Sequence, residues 1–189
     1  MARIDSLEAS EAVIDALGLL TRDHRLIEEL FREFDVAADQ QLDPLSRRIC
    51  KMLRIHTQIL DEIFYPAARR ALSDHALIEA GERTHVEARH SIMLIESMTS
   101  EDPAFLPTVR TLAEEFGQHV KSEEGELFPQ VRKSKLDLVS LGLVLAERRD
   151  TLMDVLGLHA DDEEAAVYPA ENPAIALATA QRQQRQKSG

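Results

Sequence analysis

The chain has no tryptophan, a single cysteine, six phenylalanines and two tyrosines among its 189 residues, and only seven glycines and seven prolines. One cysteine, Cys50, excludes an internal disulfide framework and also a zinc site closed by several thiolates. Sheet proteins need more aromatic and β-branched residues in alternation, and more turn residues, than this chain offers. The composition therefore favours helices.

Long apolar runs are also missing, because no uncharged stretch approaches the roughly 20 residues that cross a bilayer. The first twenty residues carry Asp5, Glu8, Glu11 and Asp15 where a signal peptide would need an apolar segment. We expect a cytoplasmic protein that does not contact a membrane. The net charge of −12, with both signs mixed along the chain, argues against nucleic acid as a partner.

Apolar residues recur every three or four positions over long segments, a pattern typical of amphipathic helices. Four core helices are predicted at about 19–36, 43–67, 74–98 and 108–127, the second capped by Asp43 with Pro44 at its first position. A short segment precedes them at about 6–17. A fifth helix follows at about 136–156, ended by Gly157, as a lid or docking helix.

These segments predict an all-α fold, an antiparallel up-down four-helix bundle with an N-terminal accessory helix and an additional C-terminal helix. Residues 1–158 are predicted to form this domain. Residues 159–189 are acidic and then rich in alanine and glutamine, so we expect a flexible tail. The fifth helix and the tail together offer a surface for a protein partner or for self-association.

Each core helix carries one histidine in its apolar seam, and the bundle would point all four at one interior. A lone histidine on an apolar face is more often a packed core residue than a ligand. Four buried imidazoles without a shared partner would leave polar nitrogens unsatisfied at about 1–3 kcal/mol each. A bound metal removes that difficulty. The four are His24, His56, His85 and His119.

A carboxylate joins the last histidine, since Glu123 lies four residues after His119 on the same helix face. Imidazole and carboxylate without thiolate suit iron, manganese or zinc, and a structural zinc site is disfavoured because such sites are usually closed by four cysteine or histidine ligands. The ferritin-like arrangement needs Glu-x-x-His on two helices. Here both copies of that spacing, ending at His85 and at His90, lie on the third predicted helix, which argues against that class.

Two histidine segments share a frame in which proline stands ten residues after the histidine, preceded by Phe-Tyr or Leu-Phe. They are HTQILDEIFYP (56–66) and HVKSEEGELFP (119–129). With Asp23-His24, Leu30-Phe31 and His85, this frame resembles the hemerythrin-like, HHE cation-binding family over about residues 12–156. The resemblance implies an iron pair bridged by two carboxylates. The residues that carry over as ligands are His24, His56, His85, His119 and Glu123.

The sequence departs from that family at residue 60, where a bridging glutamate is expected four residues after His56 and Leu60 stands instead. Three explanations stay open. Asp61 bridges after a local rotation of the helix, with Glu62 the poorer substitute; or the centre holds one ion instead of two; or the centre is lost and Leu60 is core.

The leading functional hypothesis is a non-haem iron protein, with two ions per chain or one, that binds, senses or disposes of dioxygen, peroxide or nitric oxide. The alternatives are iron storage or delivery, and a metal-free signalling bundle with a degenerate centre. No acid–base pair, nucleophile or phosphate loop in the sequence calls for an enzymatic reaction.

Overall fold

The computed structural model describes residues 15–158, and within that range it contains helices and no strand. The all-helical prediction is therefore confirmed. The predicted accessory helix before residue 15 and the predicted tail from residue 159 lie outside the described residues. The helices are α1 (Ala16–Asp35), α2 (Asp39–Ile59), α3 (Tyr65–Ala71), α4 (Ala76–Ser97), α5 (Phe105–Ser122), α6 (Phe128–Lys133) and α7 (Leu138–Leu156).

Two π-helical turns connect helices without a break. The first, π1, spans Leu60–Phe64 between α2 and α3, and the second, π2, spans Glu123–Leu127 between α5 and α6. Each is followed by a proline at the second position of the next helix, Pro66 or Pro129. A proline ring clashes with the carbonyl one turn earlier, and a widened turn relieves that clash. The shared frame thus gives both segments the same backbone.

Capping residues set the start of the first described helix and the end of the last. The Asp15 carboxylate accepts the Gly18 N–H at 2.8 Å and caps α1, so Leu17 belongs to this helix and not to a separate segment. Gly157 ends α7 with φ 64° and ψ 38°, the left-handed conformation that glycine adopts without steric cost. The predicted end of the fifth helix is confirmed.

The predicted start of the second helix is wrong. The helix begins at Asp39, and Pro44 lies inside it. Pro44 removes one bond, to the carbonyl of the exposed Gln40, where water replaces it at little cost. The Asp43 carboxylate does not cap this helix; it accepts hydrogen bonds from the backbone N–H and the hydroxyl of Ser100, at 3.2 and 2.8 Å.

The core is formed mainly by α1, α2, α4 and α5, with α1 against α2 and α4 against α5. Helix α7 packs on α1 and α2. A buried ion pair fixes it there, because Arg149 donates from Nε to the Asp23 carboxylate at 2.7 Å. Asp23 directly precedes His24, so the fifth helix supports the helix that carries this histidine. Among the described residues no helix is long and apolar enough to cross a membrane.

Candidate metal centre

Four histidines from four helices converge in the core as predicted. His24 on α1, His56 on α2, His85 on α4 and His119 on α5 are all buried, at most 6% exposed, and Glu123 in π2 is 3% exposed. One ligand atom from each of four residues lies within 4.8 Å of the others, a spacing that suits a shared metal ion. The group comprises His24, His56, His119 and Glu123.

Glu123 stands at the middle of the cluster. Its Oε2 lies 3.2 Å from His24 Nε2 and 3.3 Å from His119 Nε2. The imidazole rings approach in two pairs: His24 and His56 have centroids 4.8 Å apart, and His85 and His119 have centroids 5.0 Å apart. His85 therefore adjoins the group through His119. One carboxylate is flanked by two pairs of imidazoles.

Buried polar atoms at the cluster lack hydrogen-bond partners in the described part of the chain. They are the Nε2 atoms of all four histidines, His56 Nδ1, and Glu123 Oε2. An unsatisfied buried nitrogen or oxygen costs about 1–3 kcal/mol, and a bound metal ion would satisfy several of these atoms at once. Imidazole nitrogens and carboxylate oxygens are donors that iron, manganese and zinc accept. The residues fit a metal ion.

Comparison with known families agrees with this geometry, because the family model described as Hemerythrin HHE cation binding domain matches residues 15–131. The chain belongs to this family. The matched segment contains all four buried histidines and Glu123, and it ends before α7. Family membership and the cluster of histidines around Glu123 together indicate a cation-binding helical protein.

Two individual relatives share 21% and 26% sequence identity with this chain. A hemerythrin HHE cation binding domain-containing protein from Mycobacterium kansasii has a solved structure with a TM-score of 0.65 and 21% identity, covering 82% of this chain and 98% of that one. This likeness shows the fold. A Nostoc protein named DNA nickase is 26% identical over 117 residues, 61% of this chain but 33% of that protein. The chain spans about a third of that relative.

Leu60 is fully buried at 0% exposure and belongs to the hydrophobic core. The two acidic residues that follow it point elsewhere. Asp61 Oδ1 lies 2.6 Å from His85 Nδ1, and Asp61 Oδ2 accepts from Arg89 at 2.8 Å. Glu62 pairs with Arg148 of α7 and with Gln58. The structure thus brings neither into the four-residue group, and the bridging role of Asp61 stays a prediction.

Two residues that bear on the centre were not foreseen from the sequence. The Tyr65 hydroxyl donates to Glu123 Oε1 at 2.8 Å, and the Tyr65 ring stacks on His85 with centroids 5.3 Å apart. Gly81 on α4 makes room for it, because a Cβ there would lie 2.2 Å from the phenol oxygen. The signal was a glycine in the seam of a predicted helix, which indicates close approach by another group.

The other unforeseen residue is Glu124, whose Oε1 lies 2.7 Å from His24 Nδ1. Its Oε2 accepts from Arg25 at 2.5 Å. Glu124 follows Glu123 as Asp61 follows Leu60, so the shared frame was the available signal. Phe128 then stacks on the His24 ring at 5.8 Å and closes that side of the cluster.

Charges in the metal-free centre shift the pKa values of its members in opposite directions. Burial would raise the pKa of Glu123, but His119 and His24 outweigh burial and hold it well below the usual value. Burial lowers the pKa of His24, yet Glu123 and Glu124 outweigh it and leave that pKa raised. For His56, burial and then His24 and His119 lower the pKa well below the usual 6.5. His56 is therefore neutral at physiological pH, the form that binds metals.

A groove of about 240 Å³ runs between α4 and α5 to the cluster. Exposed residues, Glu87 and Gln118, line its outer part, while the buried His119 and Glu123 line its inner part. Small side chains from α4, such as Ala80, leave the passage open to a molecule of a few atoms.

Proposed function

We propose that the chain is a non-haem iron protein that binds, senses or disposes of dioxygen, peroxide or nitric oxide. The observation that carries the proposal is the convergence of four buried imidazoles on one buried carboxylate, with metal-facing atoms left unpartnered. The family match to a cation-binding domain supports a metal there. The absence of thiolate from the group supports iron over structural zinc.

The ring pairing suggests how two ions would be held. His24 and His56 would hold one, His85 and His119 the other, and Glu123 stands between the pairs as the shared carboxylate. If iron were bound by these residues in its reduced form, it would supply electrons for the reduction of dioxygen or peroxide and a binding position for nitric oxide. The protein's part is to orient the nitrogens, exclude bulk water and admit small molecules.

Three features of the chain serve to orient the ligands, exclude bulk water and admit small molecules. Phe116, with ring centroids 5.9 Å from both His24 and His56, gives the cluster an apolar wall and strengthens electrostatic interactions inside it. The Tyr65 hydroxyl holds Glu123 by one oxygen and leaves Oε2 facing the imidazoles. The groove of about 240 Å³ between α4 and α5, with His119 and Glu123 in its lining, would give a small ligand a route to the cluster.

The alternatives fit the observations less well. A metal-free signalling bundle would leave both ring nitrogens of His56 and the Nε2 atom of His85 in the core without compensation. The nicking of DNA belongs to the Nostoc relative, two thirds of which has no counterpart in the matched segment. A net charge of −12 opposes contact with a phosphate backbone, and we propose that nucleic acid is not a partner.

The test is to load the protein anaerobically with Fe(II), remove unbound metal, and mix it separately with dioxygen, hydrogen peroxide and nitric oxide while following absorbance from 300 to 700 nm. We expect at least one of the three to change the spectrum within seconds. His56→Ala should abolish the change, whereas His90→Ala, at an exposed position of α4, should leave it intact. An iron-loaded protein that responds to none of the three contradicts the proposal.

A further inference from the structure

The Nδ1 atoms of His24 and His85 each contact a carboxylate outside the four-residue group. We propose that Asp61 and Glu124 are positioning residues that hold His85 and His24 with Nδ1 protonated and Nε2 directed to the metal, and that Asp61 does not replace the missing bridging glutamate. The proposal rests on the proposed function in that it assigns roles toward a bound metal. The contacts of Asp61 with His85 and of Glu124 with His24 are present in the metal-free chain.

Asp61 uses both of its oxygens away from the cluster. Oδ1 lies 2.6 Å from His85 Nδ1, and Oδ2 accepts from Arg89 at 2.8 Å. His85 Nε2 is buried and unpartnered in the described chain. A carboxylate on Nδ1 keeps the proton on that nitrogen and leaves the Nε2 lone pair for a metal. To bridge two ions, Asp61 would have to leave both the imidazole and the guanidinium.

Glu124 repeats this arrangement on the other side of the cluster. Its Oε1 lies 2.7 Å from His24 Nδ1, and its Oε2 accepts from Arg25 at 2.5 Å. His24 Nε2 faces Glu123 Oε2 at 3.2 Å. The imidazole again presents Nε2 inward, with a carboxylate and then an arginine behind it.

Asp61 and Glu124 occupy the same position of the repeated frame. Asp61 stands five residues after His56, and Glu124 five residues after His119. Both lie in a π-helical turn, one residue past the position where Glu123 and Leu60 differ. Each reaches a histidine on a different helix, α4 or α1. The widened turn lets consecutive residues serve two functions, with one facing the metal and the next bracing a ligand.

His56 provides the contrast within the same molecule. Both of its ring nitrogens are buried without a hydrogen-bond partner in the described chain. Its orientation depends on packing against neighbouring rings, among them Phe116. Asp61 and Glu124 therefore hold a proton on Nδ1 of His85 and His24 in the metal-free protein, while His56 lacks this constraint.

The experiment compares four variants, Asp61→Asn, Asp61→Ala, Glu124→Gln and Glu124→Ala, with Glu62→Gln as control, because Glu62 is adjacent but pairs with Arg148 on the surface. Nitrogen-15 NMR of the imidazoles in the metal-free protein reports the tautomer of His24 and His85. Competition with a chelator reports Fe(II) affinity, and metal analysis reports the ions retained per chain.

We expect the alanine variants to lose the fixed tautomer of their own histidine and to bind Fe(II) about 10- to 100-fold more weakly, the usual effect of removing an outer partner. Asn and Gln retain an oxygen that accepts from Nδ1, so they should keep the tautomer and lose less affinity. Every variant should retain as many ions as the unmodified chain.

Two results would overturn the proposal. If Asp61→Asn lost one iron per chain while Glu124→Gln lost none, Asp61 would be a bridging ligand. If the alanine variants left tautomer and affinity unchanged, both contacts would be ordinary surface ion pairs. The NMR measurement needs no iron, so a failure of the proposed function would appear separately, as an unmodified chain that retains no metal.

Discussion

The two π-helical turns have the same backbone conformation but differ in the chemistry of their side chains. In both, the turn begins four residues after a histidine and ends before an aromatic-proline pair. In π2 the first residue is Glu123, which lies between His24 and His119. In π1 the first residue is Leu60, which lies in the apolar core. Proline placement thus sets the backbone of both turns, and one side chain decides whether a turn places a carboxylate in the histidine cluster.

The difference extends to the residue that closes each turn. Tyr65 after π1 sends its hydroxyl to Glu123, the carboxylate of the other turn. Phe128 after π2 stacks on His24. The π1 half therefore reaches Glu123 through the neutral hydroxyl of Tyr65, and the carboxylate that it contributes, Asp61, contacts His85 from outside the cluster. Single substitutions can make one half resemble the other.

Glu123→Gln removes the charge of the one carboxylate in the cluster and should have the largest effect. We expect Fe(II) affinity to fall by more than about 100-fold, since loss of even an outer partner costs about 10- to 100-fold. The matched control is Glu126→Gln, at an exposed position of the same π2 turn. Metal analysis after dialysis measures the effect, and equal iron content in the two variants would exclude Glu123 as a ligand.

Leu60→Glu makes π1 resemble π2. In the metal-free protein a buried carboxylate at this fully enclosed position should lower the free energy of unfolding by about 3–5 kcal/mol. With iron present, the new carboxylate should act as a second bridge, raise Fe(II) affinity and restore stability. Chemical denaturation with and without Fe(II) measures both effects. A variant that gains neither affinity nor iron-dependent stability would show that residue 60 does not face the metal.

Tyr65→Phe makes the end of π1 resemble the end of π2 by removing the hydroxyl. A hydrogen bond to a charged carboxylate contributes about 1.5–3 kcal/mol, so the free energy of unfolding should fall by that amount in urea titrations. Gly81→Ala should weaken the same bond without altering the phenol, because its Cβ would occupy the space of the hydroxyl. If Tyr65→Phe is neutral, the phenol does not hold Glu123 in solution.

The pH dependence of the metal-free protein should be the subtlest contrast. His24 has a raised pKa, so its contribution is complete below pH 6.5 and is lost as pH rises through its folded-state pKa. His56 has a lowered pKa, so the unfolded chain binds more protons and stability is lost as pH falls below 6.5. Stability should peak near pH 6.5.

Denaturation midpoints from pH 5 to 8 check this prediction. His56→Phe should make the acid side less steep, and His85, whose pKa is also lowered by burial, should account for the remaining slope. A steady rise of stability from pH 5 to 8 would contradict the raised pKa of His24.

The parts of this structure that follow from local pattern were predictable. The helical period and the single histidine in each seam predict that His24, His56 and His119 lie close to Glu123, because a bundle directs its seams inward. The end of α7 was predictable for a similar reason, since Gly157 adopts the conformation that stops a helix. Residues 15–158 bear out the all-helical fold, while ligation itself remains for experiment.

The parts that depend on distant contacts were not predictable. The start of α2 at Asp39 was not predictable from the sequence, because the Asp43 side chain, which the sequence indicates as a cap, binds Ser100 in the turn between α4 and α5. The Tyr65–Glu123 hydrogen bond needs Gly81 on a third helix. The Asp61 contact with His85 likewise joins residues that no local spacing relates.

The most direct measurement is an anaerobic Fe(II) titration of the intact chain, followed by removal of unbound metal and analysis of what is retained. Two imidazole pairs on either side of Glu123 predict two tightly held irons per chain. Replacing His56 or His119 by alanine should reduce that number. One iron per chain would contradict the metal pair, and no retained iron would contradict the whole account.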